Sequence, residues 1–82
     1  MKNQQDLITL FKQVATEVDK REFGDLTGAS VISDLGIDSL SMMQIVGEME
    51  LRLNIMIPDE DLVELVTVAD LIKVVERRIE GS

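Results

Sequence analysis

The sequence contains no cysteine, histidine, tryptophan or tyrosine. Without cysteine the chain can form neither a disulfide nor a thiolate metal site. Without histidine it lacks the commonest general base and the commonest metal ligand, so a Ser-His-Asp arrangement is impossible. Calcium-binding and glycine-rich phosphate-binding loop patterns are missing as well. These absences predict a protein that holds no metal and is not an enzyme.

Basic residues are also scarce, since 16 acidic and 8 basic side chains give a net charge of -8. Binding to nucleic acid requires a basic face, so nucleic acid is not an expected partner. An acidic surface favours basic partner proteins and steers their approach, although the same charge could serve only to keep a small domain soluble.

Long apolar runs are missing, and the N-terminal sequence is too polar for a signal peptide, so neither a membrane span nor secretion is expected. The 82 residues predict a single domain, 1–82. A cytoplasmic location is the default expectation, and the protein is expected to be a monomer. The length and the initial methionine suggest a free-standing protein, although an excised domain with an added start codon would look the same.

Apolar residues recur at helical spacing from about Asn3 to Lys20. They form one stripe with steps of four, three and four residues: Leu7, Phe11, Val14 and Val18. This spacing predicts an amphipathic helix. Asn3 can cap its N-terminus, and Asp6 is a favourable charge in its first turn.

Periodicity fails from Arg21 to Asp38, where three glycines interrupt the chain. The stretch nevertheless contains six well-spread apolar residues: Phe23, Leu26, Val31, Ile32, Leu35 and Ile37. We therefore expect a long loop that packs across the domain and leads the chain to Ser39.

A second helix is predicted from Ser39 to Leu53. Its expected inner face comprises Leu40, Met43, Leu53 and either Val46 or Gly47, flanked by Ile45 and Met49. Met42 is expected outside this face, as is Val46 if Gly47 takes the inner position. Gly47 is unfavourable within a helix, so we expect it to admit a neighbouring helix or a group tethered to Ser39. The alternation from Leu51 to Ile57 also fits a strand paired with Val31-Ile32, but isolated two-stranded pairings are weak. Helix to Leu53, followed by an extended connection, is preferred.

Pro58 ends that connection, and three acidic residues then favour a short helix from Asp59 to about Leu65. Thr67-Val68-Ala69-Asp70 has the capping-box pattern that opens a last helix ending near Gly81. Its inner face is expected to contain Val68, Leu71, Ile72, Val75 and Ile79. The predicted fold is an all-α four-helix bundle with three main helices, a short third helix and a long loop between the first two.

Ser39 lies where the second helix should begin. A hydroxyl there is exposed and lies among backbone N–H groups at the positive end of the helix dipole. Such a position suits a phosphate ester. The alternative is that Ser39 is an ordinary helix-capping serine.

The motif Leu35-Gly36-Ile37-Asp38-Ser39-Leu40, followed by Ile57-Pro58-Asp59-Glu60-Asp61, resembles the acyl carrier proteins. The resemblance extends over the whole chain, since the long first helix, the long loop and the Thr-Val-x-Asp start of the last helix also fit this family.

The resemblance implies that a phosphopantetheinyl transferase modifies Ser39 with 4'-phosphopantetheine from coenzyme A. The thiol of this arm would explain how a cysteine-free protein carries acyl thioesters for fatty-acid or polyketide-type biosynthesis. Ketosynthase, acyltransferase or acyl-activating enzymes would be its partners. Asp38 would help to seat the transferase, and Leu40 would contact it while reaching into the core. A guest acyl chain would be lined by Met43, Met49, Leu53, Ile57, Leu62 and Ile72, although core packing alone also explains these residues.

The sequence departs from the common fatty-acid pattern after Ser39. Acidic residues usually follow the Asp-Ser-Leu motif, but Ser41 and Gln44 occupy those positions here, with Met42 expected to be exposed between them. The predicted partner-recognition residues are Asp38, Leu40, Met42, Gln44, Val46 and Glu48. This less acidic helix start suggests partners in a specialised discrete pathway rather than in housekeeping fatty-acid synthesis.

Two alternatives remain open from the sequence. One is an aminoacyl or peptidyl carrier that uses the same arm, although Gly36-Ile37-Asp38-Ser39 is closer to the acyl carriers than to the Gly-Gly-His-Ser or Gly-Gly-Asp-Ser of peptidyl carriers. The other is an unmodified acidic helical adaptor that binds partners through its helix faces.

Overall fold

The computed structural model describes residues 3–81, which form three α-helices and two short 3-10 helices. The α-helices are α1 (Gln4–Asp19), α2 (Ser39–Leu53) and α3 (Val68–Gly81). The first 3-10 helix is Ile32–Leu35 and the second is Asp59–Leu62. Between residues 3 and 81 the only extended pairing is a single bridge from Val31 to Thr67. The predicted all-α class is confirmed.

The α1 helix begins with a capping box. The Asn3 side chain accepts a hydrogen bond from the Asp6 N–H at 2.9 Å, and the Asp6 carboxylate accepts one from the Asn3 N–H at 3.3 Å. The predicted cap is therefore confirmed, and Asp6 adds a return bond that had not been expected. Leu7, Phe11 and Val14 are fully buried, so the predicted stripe faces the core, where α1 packs against both α2 and α3.

The rotation of α2 differs from the prediction. Its buried residues are Ile45, Val46 and Met49, whereas Leu40 is 67% exposed and Met43 is 60% exposed. The expected inward orientation of Leu40 and Met43 is therefore wrong. The helix has apolar residues on two faces, and packing against α1 buries the Ile45–Met49 face rather than the other.

Hydrogen bonds fasten the long loop between α1 and α2 to the start of α3. The Ile32 N–H donates to the Val66 carbonyl at 2.9 Å, and the Val68 N–H donates to the Ser30 carbonyl at 2.9 Å. Phe23, Leu26 and Ile37 are buried along the loop. The expectation of a packed loop is confirmed, and its Ile32–Leu35 3-10 helix is an additional feature.

The preferred course after α2 is also confirmed. Asn54 ends the helix in the left-handed region (φ 57°) and donates its N–H to the Glu50 carbonyl. Glu50 accepts two more backbone N–H groups just beyond the helix. Its carbonyl bonds the Ile55 N–H at 3.1 Å, and its carboxylate bonds the Ile57 N–H at 2.7 Å. The chain is not helical from there to Pro58, and the strand alternative is excluded because Val31 pairs with Thr67.

The predicted short helix from Asp59 to about Leu65 is wrong in length, because the helical segment ends at Leu62. The carbonyl of Val66 accepts a hydrogen bond from the Ile32 N–H, and the Val66 N–H donates to the Asp70 carboxylate at 3.1 Å. These backbone groups therefore form hydrogen bonds outside a helix. The chain reaches α3 in a non-helical conformation.

The capping box of α3 is confirmed. The Asp70 N–H donates to the Thr67 hydroxyl at 3.2 Å, and the Thr67 N–H donates to the Asp70 carboxylate at 3.0 Å. The predicted inner face is confirmed as well: Val68, Leu71, Ile72 and Val75 are buried, and Ile79 is partly buried. None of the helices described over residues 3–81 has the length and apolar character needed to span a bilayer.

Gly47 provides a test of helix propensity in α2. A Cβ built at this position meets no atom within 4 Å, so the expected close approach of a neighbouring helix is wrong. Gly47→Ala should raise the free energy of unfolding by about 1 kcal/mol, because glycine is the less favourable residue in a helix interior. Urea denaturation measures the change.

Gly36→Ala is the matched comparison and should destabilise the protein. Gly36 has φ +75°, and a Cβ there would lie 3.0 Å from the Arg21 guanidinium. A decrease in stability for Gly47→Ala would show that α2 needs glycine for a reason within the fold.

Candidate modification site

Asp38, not Ser39, caps α2. Asp38 has extended backbone angles, and its carboxylate accepts the Ser41 N–H at 2.8 Å. Ser39 is the first helical residue and is exposed. The alternative in which Ser39 is the capping serine is therefore wrong. Because Asp38 caps the helix, the Ser39 hydroxyl is available for other chemistry.

The Asp38 carboxylate beside Ser39 is held in its ionised form. Its pKa is lowered chiefly by the hydrogen bond from the Ser41 backbone N–H, with smaller contributions from the Ser41 hydroxyl and the Leu40 N–H. Desolvation acts in the opposite direction but does not prevail. A negative charge at the start of α2 also suits the helix dipole.

The lowered pKa of Asp38 predicts a pH-dependent contribution to stability. A carboxyl group whose pKa is lower in the folded than in the unfolded state stabilises the fold above its ordinary pKa, and this contribution is lost as the pH falls through the folded-state value. Asp38→Asn keeps an acceptor oxygen but not the charge. It should melt a few degrees below the parent near neutral pH, and this difference should shrink as the pH falls below about 4. Thermal melts across this range measure it, with Asp25→Asn in the exposed loop as the control. A difference that is independent of pH would contradict the role of the charge.

A surface pocket of about 430 Å³ borders Ser39. Its walls come from the loop, the start of α2 and the segment around the second 3-10 helix: Val31, Ile32, Ser33, Ile37, Asp38, Ser39, Met42, Met43, Leu62, Leu65 and Val66. Most of these side chains are apolar. Met43 and Val66 in its wall are exposed, and so are Leu40 and Val63, which follow the lining residues Ser39 and Leu62 in the sequence.

The pocket differs from the predicted guest lining. Of the six predicted residues, Met43 and Leu62 border it. Met49, Ile57 and Ile72 are instead buried in the core, and Leu53 packs partly buried against it. The sequence did not assign Val31, Ile32, Leu65 or Val66 to this wall. For Val31 and Ile32, the only indication in the sequence was that the long loop contains more apolar residues than a solvent-exposed loop needs.

The predicted recognition residues occupy three different environments. Asp38, Leu40 and Gln44 are exposed, so the expected reach of Leu40 into the core is wrong. Met42 is half-buried in the pocket wall rather than exposed. Glu48 lies on the surface, 3.5 Å from Arg52. Val46 is only 4% exposed, so its assignment to a partner-contacting surface is wrong.

The site is suited to a serine that bears a phosphate-linked prosthetic group. The hydroxyl is exposed at the first residue of a helix, where the positive end of the helix dipole favours phosphate oxygens. The adjoining pocket offers an apolar surface beside the attachment point. This combination of fold and site suits a small helical carrier.

Comparison with known proteins agrees with this class. Residues 6–75 match the family model described as the phosphopantetheine attachment site. An acyl carrier protein of Rhodococcus erythropolis is 36% identical over 81 residues, covering 96% of this chain and 89% of that protein. The meromycolate extension acyl carrier protein of Mycolicibacterium aurum is 37% identical over 81 residues, covering 98% and 84%.

Two further comparisons extend the agreement to a synthase and to a solved structure. A non-reducing polyketide synthase of Emericella nidulans is 37% identical over 71 residues, which are 87% of this chain but only 3% of the synthase. The crystal structure of an acyl carrier protein from Thermotoga maritima superposes with a TM-score of 0.88 at 26% identity, covering 95% of this chain and 92% of that one.

The chain belongs to the acyl carrier protein family. Its prosthetic group is 4'-phosphopantetheine, and its role is to carry acyl groups in fatty-acid or polyketide biosynthesis.

Proposed function

We propose that Ser39 is the residue that carries 4'-phosphopantetheine. The observation that supports this most directly is its position: an exposed hydroxyl at the first residue of α2, with Asp38 as the separate cap and an apolar pocket alongside. The neighbouring serine in the helix, Ser41, lies two residues further along and is partly buried.

Loading would require a phosphopantetheinyl transferase, with coenzyme A as donor. The Ser39 oxygen forms a new bond to the phosphorus that bears pantetheine, the pyrophosphate P–O bond breaks, and adenosine 3',5'-bisphosphate leaves. The hydroxyl proton passes to a base of the transferase or to solvent. Asp38 holds the first turn of α2 in place during this step through its bond to Ser41.

The thiol of the prosthetic group, when bound, supplies thioester chemistry that a cysteine-free chain cannot supply itself. The contribution of the chain is presentation. A rigid helix start holds the attachment point, which raises the effective concentration of the acyl group at each partner enzyme. The chain is thus proposed to have no catalysis of its own, and the missing histidine and cysteine support this.

The surface around Ser39 is proposed to receive the transferase and the synthase enzymes, including ketosynthase, acyltransferase or acyl-activating enzymes. From Glu22 to Ile72 the sequence has eleven acidic residues and a single basic one, Arg52. The exposed side chains of Leu40 and Met43 lie within this acidic region. A partner with an apolar contact area surrounded by basic residues is complementary to this surface.

A specialised pathway is proposed because the first turn of α2 contains no acidic residue. Ser41→Asp combined with Gln44→Glu would place negative charge there. At low salt the double variant should be elongated about tenfold faster than the parent by a standard fatty-acid ketosynthase, because charge steers association. Moderate salt should remove most of this advantage by screening. Ketosynthase assays on the loaded proteins measure both effects, and efficient elongation of the parent would contradict the specialised assignment.

The experiment that tests Ser39 is intact-mass measurement after incubation with coenzyme A, magnesium and a promiscuous phosphopantetheinyl transferase. We expect one phosphopantetheine per chain, located at Ser39 by fragmentation of the peptide. Addition at another serine would overturn the assignment. No addition to a folded protein would favour the unmodified adaptor instead. The cytoplasmic location and the monomeric state stay predictions from the sequence.

A further inference from the structure

Arg21 follows α1 and contacts the turn that leads to the attachment serine. Its guanidinium donates a hydrogen bond to the Leu35 carbonyl at 2.5 Å and lies 3.3 Å from the Asp19 carboxylate. The same group lies over the Phe23 ring, 4.6 Å from its centroid. It also packs against Gly36, where an added Cβ would lie 3.0 Å from Nη2. Four neighbours thus hold a side chain that is 47% exposed.

The turn held by Arg21 sets the course of the chain into α2. Leu35 is the last residue of the first 3-10 helix, and Gly36 reverses the chain in the left-handed region at φ 75°. Ile37 is then buried, and Asp38 caps the helix. Between the Leu35 carbonyl and Ser39 there are therefore only three residues. A displacement of the Leu35 carbonyl would therefore also move the Asp38 cap and the Ser39 hydroxyl.

We propose that Arg21 is a positioning residue for modification of the carrier. It fixes the Leu35-Gly36 turn in the conformation that lets Asp38 cap α2 and presents Ser39 to the transferase. The inference rests on the proposed attachment at Ser39. Arg21 itself does not touch the reacting atoms.

The chemistry of the arginine side chain suits this role. Hydrogen bonds from an ionised donor are shorter and stronger than those between neutral groups. The planar guanidinium carries five donors in a fixed fork, so it can bond a carbonyl and a carboxylate while it stacks on a ring. A lysine ammonium is a point charge that can replace only part of this set.

Loss of Arg21 should act on the turn more than on the global fold. Exposed ion pairs contribute little to overall stability, so the core should remain folded. The turn would instead populate other conformations, which lowers the fraction of carrier that the transferase can bind. When only a fraction of a protein is competent, its apparent affinity falls by that fraction. The expected signature is a higher KM for the carrier with little change in kcat.

The first test measures transferase kinetics on the full chain, with coenzyme A and magnesium, as a function of carrier concentration. Arg21→Ala should raise KM about tenfold and leave kcat within about twofold. Arg21→Lys should recover only part of the loss. Arg52→Ala is the matched control, because Arg52 is likewise a partly exposed arginine paired with a carboxylate, that of Glu17, and none of its ion pairs involves the turn. Its KM should equal that of the parent. A KM for Arg21→Ala within twofold of the parent, or an equal rise for Arg52→Ala, would overturn the proposal.

The second test needs no transferase and therefore separates this proposal from the assignment of Ser39. The Ser41 N–H bonds Asp38 at 2.8 Å, so its hydrogen exchange reports whether the cap is formed. Arg21→Ala should accelerate exchange of this amide about tenfold, while amides in the core of α1 and α3 keep the exchange rates of the parent. Uniform acceleration at all sites, or an unchanged Ser41 amide, would show that Arg21 does not hold the turn, whether or not Ser39 is modified.

Discussion

Ser39→Ala is expected to abolish phosphopantetheine attachment completely while changing the free energy of unfolding by less than about 0.5 kcal/mol. The loss is complete because the alanine side chain offers no oxygen to form the phosphate ester. The stability is preserved because Asp38 supplies the cap and Ser39 is exposed. Alanine is also the better helix former at this position. Intact mass after transferase treatment and urea denaturation measure the two results.

Ser41→Ala is the matched control for this prediction. It removes a hydroxyl from the same helical turn but leaves the backbone N–H that donates a hydrogen bond to the Asp38 carboxylate. This variant should be modified to the same extent as the parent. Attachment to Ser39→Ala would show that another residue carries the arm. A loss of stability typical of a removed cap would show instead that Ser39 contributes to the helix start.

Phe11→Ala should have the largest effect on stability among single truncations in α1. The side chain is fully buried in the core. Replacing a buried phenylalanine by alanine removes apolar contacts and leaves a cavity, at a cost of about 3–5 kcal/mol. At the usual stability per residue, a domain of this length has about 4–12 kcal/mol in total. The variant should therefore be folded marginally or not at all at physiological temperature.

Urea or thermal denaturation followed by circular dichroism measures this loss. Thr9→Ala, an exposed substitution in the same helix, should change stability by less than about 0.5 kcal/mol. If Phe11→Ala lost less than about 1 kcal/mol, the core around α1 would have to collapse around the cavity far more completely than close-packed interiors normally do. Transferase rates on this variant should fall with the folded fraction.

Local signals account for what the sequence determined. The start and end of α2 at Ser39 and Leu53, the Asn3 cap of α1 and the Thr67–Asp70 capping box all depend on residues within about four positions of one another. Helical periodicity and capping are set by such near neighbours, so they can be recognised without the rest of the chain. The motif around Ser39 is equally local, and it was enough to indicate the family and to predict the attachment residue.

The rotation of α2 about its axis could not be predicted from near neighbours in the sequence. Leu40 and Met43 on one face and Ile45 and Met49 on another are all apolar, so periodicity alone does not decide which face is buried. Packing of α2 against α1 determined which of the two faces is buried. The choice between Asp38 and Ser39 as the cap was likewise open, because both residue types cap helices well. The backbone conformation, extended at Asp38 and helical from Ser39, settled the choice.

The remaining features depend on contacts between residues far apart in the sequence. The pocket beside Ser39 forms because hydrogen bonds join the loop at Ile32 to Val66, which brings two distant apolar segments together. The bond from Arg21 to the Leu35 carbonyl spans fourteen positions and depends on how the loop folds back on the end of α1. The sequence by itself therefore determined the three main helices and the caps of α1 and α3, and it predicts Ser39 as the serine to be modified. Only the tertiary structure decided which side chains surround that serine, because such neighbours are set by packing and not by spacing along the chain.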